Sequence, residues 1–368
     1  MNHHLSSSLS GDPDSFSLER AFQLLDEEVE TGEIPGGVAL VTHRGKVVGV
    51  HASGYSIDYG EDREQTVEDT LYDCASLTKV TVTLPLILQG LGLGLLRLDD
   101  PVTHFIPAFA ANNKDHITVK QLLVHTSGLP AHQPFYLHGW TPEETINGIC
   151  RLPLDYKTET KVIYSDLGYI LLGQIASLVF GDSLDRVAEQ RIFDPLGMKQ
   201  STFCPPESWR PLIAATEYTD QLGRCKRGEV HDENAYALGG VSGHAGLFST
   251  ARDLARYAQM WLAGGRTEDG QTILPQASVQ AALRSHTGKL SAHRGLGWVL
   301  KGDKMDASGD LLSNTAYGHT GFTGVCLTMD PERELGVVLL TNRVHYGRDK
   351  SVARLRARFH NAVAASLP

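Results

Sequence analysis

The sequence predicts an α/β protein of the α+β kind: an antiparallel sheet flanked by helices, with a helical domain inserted into it. Three observations carry this. The first hundred residues read as one amphipathic helix, two strands and one apolar helix. The last hundred read as strands followed by a helix, so the two ends can share a sheet. The stretch between them is helices and loops. The expected boundaries are a sheet domain of residues 15–97 and 250–368, a helical domain of residues 98–249, and a disordered lead of residues 1–14.

Each element has a local reason. From Ser17 the apolar residues Leu18, Ala21, Phe22, Leu25 and Val29 recur at helical spacing, and Gly32 with Pro35 ends the run. Residues 37–41 and 46–51 read as strands around a His43-Arg44-Gly45 turn. After Tyr72 comes a helix that is apolar on every side, with Val80, Val82, Leu84, Leu86, Ile87 and Leu88; such a helix belongs in a core. Pro85 inside it should kink it. Thr118-x-x-Gln121 is a capping-box pattern, and Thr250-x-x-Asp253 starts another helix. Helices are expected over residues 166–179 and 183–193, the second stopped by Pro195 and Gly197. Residues 199–248 read as loop-rich. Strands are expected at 295–300, 317–320, 324–329 and 334–341, the last two joined by the Asp330-Pro331-Glu332-Arg333 turn. A final helix carries Val352, Leu355, Phe359 and Val363.

Composition narrows the function. The chain has 368 residues, 41% hydrophobic and 21% charged, an ordinary globular balance able to bury a sizeable core. Its formal charge is −10, from 33 Lys and Arg against 43 Asp and Glu, which opposes general nucleic-acid binding. The cysteines are Cys74, Cys150, Cys204, Cys225 and Cys326, odd in number and widely spaced. No C-x-x-C occurs, so a disulfide framework or zinc knuckle is not expected and a reducing compartment fits. Residues 1–16 hold no apolar h-region, and no run is long enough to span a membrane. Cytoplasm is the expected location, with no membrane or nucleic-acid partner.

Three short clusters carry chemistry. Ser76-Leu77-Thr78-Lys79 places a hydroxyl and an amine just under one turn apart, on one helix face. Ser76 would sit at the helix start, where free N–H groups favour developing negative charge. Tyr164-Ser165-Asp166 precedes an apolar helix. Gly318-His319-Thr320-Gly321-Phe322 is a glycine-bearing strand, of the kind that lets a ligand or second backbone come close.

In this order the clusters resemble the three motifs of the serine β-lactamase and penicillin-binding-protein superfamily: S-x-x-K, Y-x-N or S-x-N, and [KH]-T-G. The resemblance covers nearly the whole chain from about residue 17. It includes the Leu122-Leu123-Val124-His125-Thr126-Ser127-Gly128-Leu129 and Ile192-Phe193-Asp194-Pro195-Leu196-Gly197-Met198 stretches. The Tyr motif places the chain near class C β-lactamases, family VIII esterases and D-amino-acid peptidases. The resemblance implies that Ser76 Oγ forms an acyl-enzyme. It implies that Lys79 and Tyr164 are the base system, and that the N–H groups of Ser76 and Phe322 form the oxyanion hole. Asp166, His319, Thr320 and Gly321 would then line the substrate site.

Two residues set this chain apart. The motif's commonest Asn is here Asp166, which when ionised only accepts hydrogen bonds and should hold Lys79 protonated, shifting the base role toward Tyr164. His319 stands where β-lactamases mostly carry Lys, and a neutral imidazole offers less to a substrate carboxylate. Both fit an esterase or amidase better than an efficient β-lactamase.

Val230-His231-Asp232-Glu233-Asn234-Ala235 with the glycine-rich 239–250 stretch looks like a branch of these hydrolases that includes muramyl-peptide amidases. His231, Asp232 and Glu233 are consecutive and suit one ion poorly, so neither a metal nor a cofactor is expected. His244 is expected either to line the cleft or to fix its own loop, and Asn342 and Arg343 either to bind a substrate carboxylate or to end a strand in solvent. The expectation is a serine hydrolase acting on a small molecule or short peptide: a peptide-like amide such as a muropeptide, or an ester. The alternatives are a β-lactamase or D-amino-acid peptidase or carboxypeptidase, and, in another class, a catalytically silent penicillin-binding sensor or scaffold.

Overall fold

The computed structural model describes residues 16–220 and 222–367. The expected lead of residues 1–14 lies outside them. Twelve strands occur among the described residues: β1 (Gly36–His43), β2 (Lys46–Tyr59), β3 (Asp62–Gln65), β4 (Tyr72–Asp73), β5 (Thr202–Phe203), β6 (Tyr218–Thr219), β7 (Arg224–Cys225), β8 (Leu247–Ser249), β9 (Val299–Leu300), β10 (Tyr317–Thr320), β11 (Cys326–Asp330) and β12 (Leu335–Thr341). Seven form one antiparallel sheet in the order β3-β2-β1-β12-β11-β10-β9. The two chain ends thus meet in its middle, with Val38 opposite Leu340 and Val41 opposite Val337.

The middle strands are buried at nearly every position because both sheet faces are covered. Alternate residues of a strand point to opposite faces. Val38, Leu40, Val338 and Leu340 join one buried cluster with the central helix and the helix Ala251–Leu262. Ala39, Val41, Val337 and Leu339 join another, under the helices Leu18–Glu30 and Ala353–Ser366. The first cluster also takes in Leu122 and Leu171, so the expected sheet and helical units share a core. Among the described residues no single helix is long and apolar enough to cross a membrane.

Most expected helices form. Thr118 and Gln121 complete the expected capping box and Thr250 accepts from Asp253 N, while Ser17, not read as a cap, accepts from Arg20 N. The Pro85 kink takes a definite form. Residues Lys79–Thr83 make a π turn before the α-helix Leu84–Gly92, and the Leu84 N–H reaches back to Lys79 O. Pro85 has no N–H and its ring would crowd the carbonyl four residues earlier; the wider turn relieves this. A second π turn, Glu189–Phe193, interrupts the expected 183–193 helix. The strand expected at 295–300 shrinks to Val299–Leu300, because Gly297 (φ +76°) turns the chain. The loop-rich 199–248 stretch holds β5 to β8 and the helix Glu233–Ala237. Two-residue strands are too short to show a period.

Two glycines with similar backbones separate conformational strain from crowding. Gly54 (φ +71°) lies where an added Cβ would fall 2.2 Å from Pro35 O, whereas Gly60 (φ +62°) has nothing within 4 Å. Gly60→Ala is expected to cost about 1 kcal/mol, the left-handed strain alone. Gly54→Ala should cost roughly 3 kcal/mol, because overpacking adds to that strain. Urea midpoints of both variants check this; equal losses would remove the crowding argument.

Candidate active site

The site is built where β4 runs into the central helix. β4 pairs with β8, and Cys74 N bonds Leu247 O just past the strand. Ala75 then takes a left-handed backbone (φ +44°), held because the buried Asp73 carboxylate accepts its N–H at 2.8 Å. The turn delivers Ser76 immediately ahead of Leu77, the first helical residue. Asp73 also accepts His231 N at 2.6 Å, and its own carbonyl accepts Thr323 Oγ1 at 2.7 Å. Burial raises its pKa, against those two N–H donors.

The third motif reaches the same turn from the sheet. A Cβ on Gly321 would stand 2.7 Å from Cys74 O, so only glycine lets β10 run on beside the serine turn. Arg356 donates to Gly321 O and Val325 O at 3.1 and 2.8 Å, pinning the loop that presents Phe322. Among the described residues neither the Ser76 nor the Phe322 N–H donates to a backbone acceptor.

Lys79 lies fully buried beneath Ser76. Its Nζ donates to Ser76 Oγ at 2.8 Å and His244 O at 3.0 Å, and pairs with Asp166 Oδ1 at 2.7 Å. Burial pulls the amine pKa down; the Asp166 carboxylate and Tyr164 outweigh it and hold the pKa above the ordinary lysine value. Tyr164 faces the ammonium with its ring centroid 4.9 Å away. Its Oη is buried beside Ser76 and Lys79, near enough for a hydrogen bond from either to oppose the rise in its pKa. Burial raises the phenol pKa, with Lys79 opposing and Asp166 adding to the rise.

Ser76, Tyr164, Asp166, His319, Thr320, Gly321, Phe322 and Arg343 line one cleft of about 610 Å³. Asp166 opens onto it from the start of the helix Asp166–Phe180. His319 is buried, with Nδ1 2.8 Å from Thr320 O and Nε2 unpartnered. Burial, then the Lys79 and Arg294 cations, push its pKa down to about 3, so the imidazole is neutral at working pH. Arg343 is largely pinned: Nη1 donates to the carbonyls of Arg348 and Lys350, and its guanidinium lies 4.6 Å over the Phe322 ring.

Two expected cleft residues stand elsewhere. The His244 side chain is buried behind Lys79, with Nε2 2.8 Å from Asp232 Oδ1 and Nδ1 2.8 Å from Ser242 Oγ. It fixes the loop whose carbonyl holds the ammonium. Asn342 is also buried; its amide donates to Ser56 O and Ala215 O at 3.0 and 3.2 Å, tying β2 to the loop ahead of β6. That leaves no N–H for a substrate carboxylate.

Several residues outside the three motifs shape the site. His125 (φ +59°) accepts Ser165 N at Nδ1 and packs its ring 4.6 Å from that of Tyr164. Burial, then nearby cations, keep its pKa well down. Asn234 holds the 133–136 loop through Gln133 O and Tyr136 N. His231 stacks on Phe322 and pairs with Glu217, which also binds Arg348 at the rim. The Val230–Ala235 stretch pointed at this region; Asp73 and Arg356 carried no pattern of their own.

Buried neutral imidazoles make stability pH-dependent. The unfolded chain takes up a proton at His319 near pH 6.5, while the native chain, with a pKa of about 3, does not. Acidification between those values therefore favours unfolding. From pH 7 to 5 the loss from His319 alone is expected to be about 1–2 kcal/mol. His319→Gln should flatten that part of the stability profile, read from urea midpoints at pH 7, 6 and 5. A profile as steep as the parent's would contradict the assignment.

Comparison with known proteins agrees with this geometry. The Beta-lactamase family model matches residues 21–362. The chain is 34% identical to an N-acetylmuramyl-L-alanine amidase of Bacillus subtilis (strain 168), over 89% of this chain and 81% of that one. It is also 34% identical to a putative D-alanyl-D-alanine carboxypeptidase of Escherichia coli (strain K12), over 90% and 84%. A penicillin-binding protein homologue from Caulobacter crescentus superposes with a TM-score of 0.78 at 22% identity, covering 96% of this chain and 98% of that one. A class C β-lactamase from Rhodobacter sphaeroides gives 0.71 at 22%, covering 94% and 98%. At those identities the structures speak for the fold, and the sequence matches for the family. The chain belongs to the β-lactamase and penicillin-binding-protein family of serine hydrolases.

Proposed function

We propose that the protein cleaves a peptide-like amide through an acyl-enzyme on Ser76. The observation that carries this is the 2.8 Å contact between Ser76 Oγ and the buried Lys79 Nζ at the floor of the cleft. A serine hydroxyl is a weak nucleophile unless its proton has a path away, and the Lys79 side chain is where that path begins. Ser76 Oγ adds to the substrate carbonyl carbon, and the carbonyl oxygen takes the negative charge between the N–H groups of Ser76 and Phe322. The Tyr164 phenol then protonates the leaving nitrogen. Water releases the acyl group by the same route reversed.

The charge around the cleft supports a short polar peptide. Asp232 and Glu233 stand on its wall with Arg343, Arg348 and Lys350. Peptides carry amine and carboxylate groups that such walls accommodate, whereas a simple apolar ester does not use them. The amidase and carboxypeptidase relatives favour a muropeptide as that peptide. The five cysteines are free, which supports the cytoplasm as the compartment.

Two outcomes are expected. A fluorophosphonate probe should add once, on Ser76, by intact mass and peptide mapping, and Ser76→Ala should lose both label and at least ~10³-fold of hydrolysis. A label elsewhere, or an unchanged rate, sinks the mechanism. Offered a defined N-acetylmuramyl peptide, the enzyme should release the peptide with a new free L-alanine amine, detected by mass spectrometry. Loss of a terminal D-alanine instead would move the protein to the carboxypeptidases.

A further inference from the structure

Lys79 cannot accept the Ser76 proton as it stands. An ammonium has three N–H groups, and here three acceptors meet Nζ: Ser76 Oγ, His244 O and Asp166 Oδ1. It must lose one proton before it can take another. A backbone carbonyl cannot receive it. Of the three, only the Asp166 carboxylate can. We propose that Asp166 is the terminal acceptor of the Ser76 proton, acting through Lys79 rather than on the substrate. The inference rests on acylation at Ser76.

The step balances within the site. As the Oγ–carbon bond forms, the Oγ proton moves to Nζ and an Nζ proton moves to Asp166 Oδ1. The carbonyl π pair becomes the oxyanion. On collapse the carbon–nitrogen bond breaks. The Tyr164 Oη proton goes to the leaving nitrogen, Nζ reprotonates Oη, and Asp166 returns its proton to Nζ. An amide at the Asp166 position has no carboxylate for this role.

The neighbouring groups leave Asp166 unrivalled. Tyr164 and Tyr169 turn ring faces to the ammonium at 4.9 and 5.8 Å. Burial holds both phenols protonated. Asp232 is the other nearby carboxylate, and it is engaged by His244 and by Ala235 N. His125 and His319 are kept neutral by burial, but neither imidazole touches Nζ: their Nδ1 atoms engage Ser165 N and Thr320 O. Arg294 pairs with Asp303.

The test reads the rate of Ser76 labelling by a fluorophosphonate against pH. Fluoride leaves without an acid, so the rate isolates proton removal from Ser76. The parent should label at a rate nearly level from pH 7 to 9. Asp166→Asn should label about 10²–10³-fold more slowly at pH 7, the range of a lost general base. Its rate should climb from pH 8 to 10, as Lys79 sheds the proton that the carboxylate no longer retains. In Asp166→Gly, added formate should restore labelling at neutral pH; a merely structural gap gains nothing from a small carboxylate. If Asp166→Asn keeps the parent's rate and profile, or if formate leaves a soluble, folded Asp166→Gly unchanged, the relay is wrong and the acyl-enzyme reading stands. If Ser76→Ala is labelled like the parent, the acyl-enzyme reading falls instead.

Discussion

The site depends on one buried ammonium. Removing a lysine charge from water costs several kcal/mol, and the fold must return that in contacts with good geometry. Here three stretches do so, two of them far along the chain: the adjoining serine turn, the helix beginning at Asp166, and the loop around His244. Each contact that satisfies Nζ also fixes a part of the cleft. The requirement to solvate Lys79 internally is thus what aligns nucleophile, carboxylate and loop. The His244–Asp232 pair is a second layer of the same requirement. It immobilises the carbonyl, and Asp232 is itself held as a carboxylate, because His244 outweighs the rise that burial would impose.

The nucleophile's place is set by close backbone approach. The serine turn carries a left-handed Ala75, which costs an L-residue about 1–2 kcal/mol. Asp73 offsets this by accepting the Ala75 N–H, and Thr323 binds the same residue's carbonyl from the sheet side. Gly321 fits because it has no side chain. The consequence is that the N–H groups of Ser76 and Phe322 come from two elements locked to each other. An oxyanion site needs that rigidity, since donors fixed in advance need no reorganisation during the reaction.

Much of this was legible in the sequence, for identifiable reasons. That the two chain ends share one antiparallel sheet followed from their strand patterns, and the caps at Thr118 and Thr250 from side chains that bond their own helix starts. Ser76 and Lys79 share a face because of helical spacing alone, and the Lys79–Asp166 contact was foreseeable once the motifs were paired. What sequence could not give was the second layer. His244 and Asn342 read as cleft residues because polar side chains beside glycine or a strand end usually face solvent; here each is buried to satisfy backbone groups. Asp73, His125 and Arg356 act through contacts far along the chain, and no local pattern encodes such partners. The π turns arise from how Pro85 and Pro195 meet a packed core, which spacing does not report.

The two residues that set the chain apart act on one quantity, the charge at the reacting centre. With Lys at the third motif and Asn at the second, this site would gain a cation and lose the Asp166 anion. Here Lys79 is balanced by Asp166, and His319 stays neutral. Arg294 is the next cation inward, and it is answered by Asp303 at 3.5 Å. The centre is therefore close to neutral. A carboxylate placed there gains little attraction from the charge of the centre. Arg343, Arg348 and Lys350 also line the cleft, with Arg348 paired to Glu217 and Glu233 and Lys350 3.5 Å from Glu33. Two residues that look independent in the sequence thus act on one quantity, the charge beside the serine.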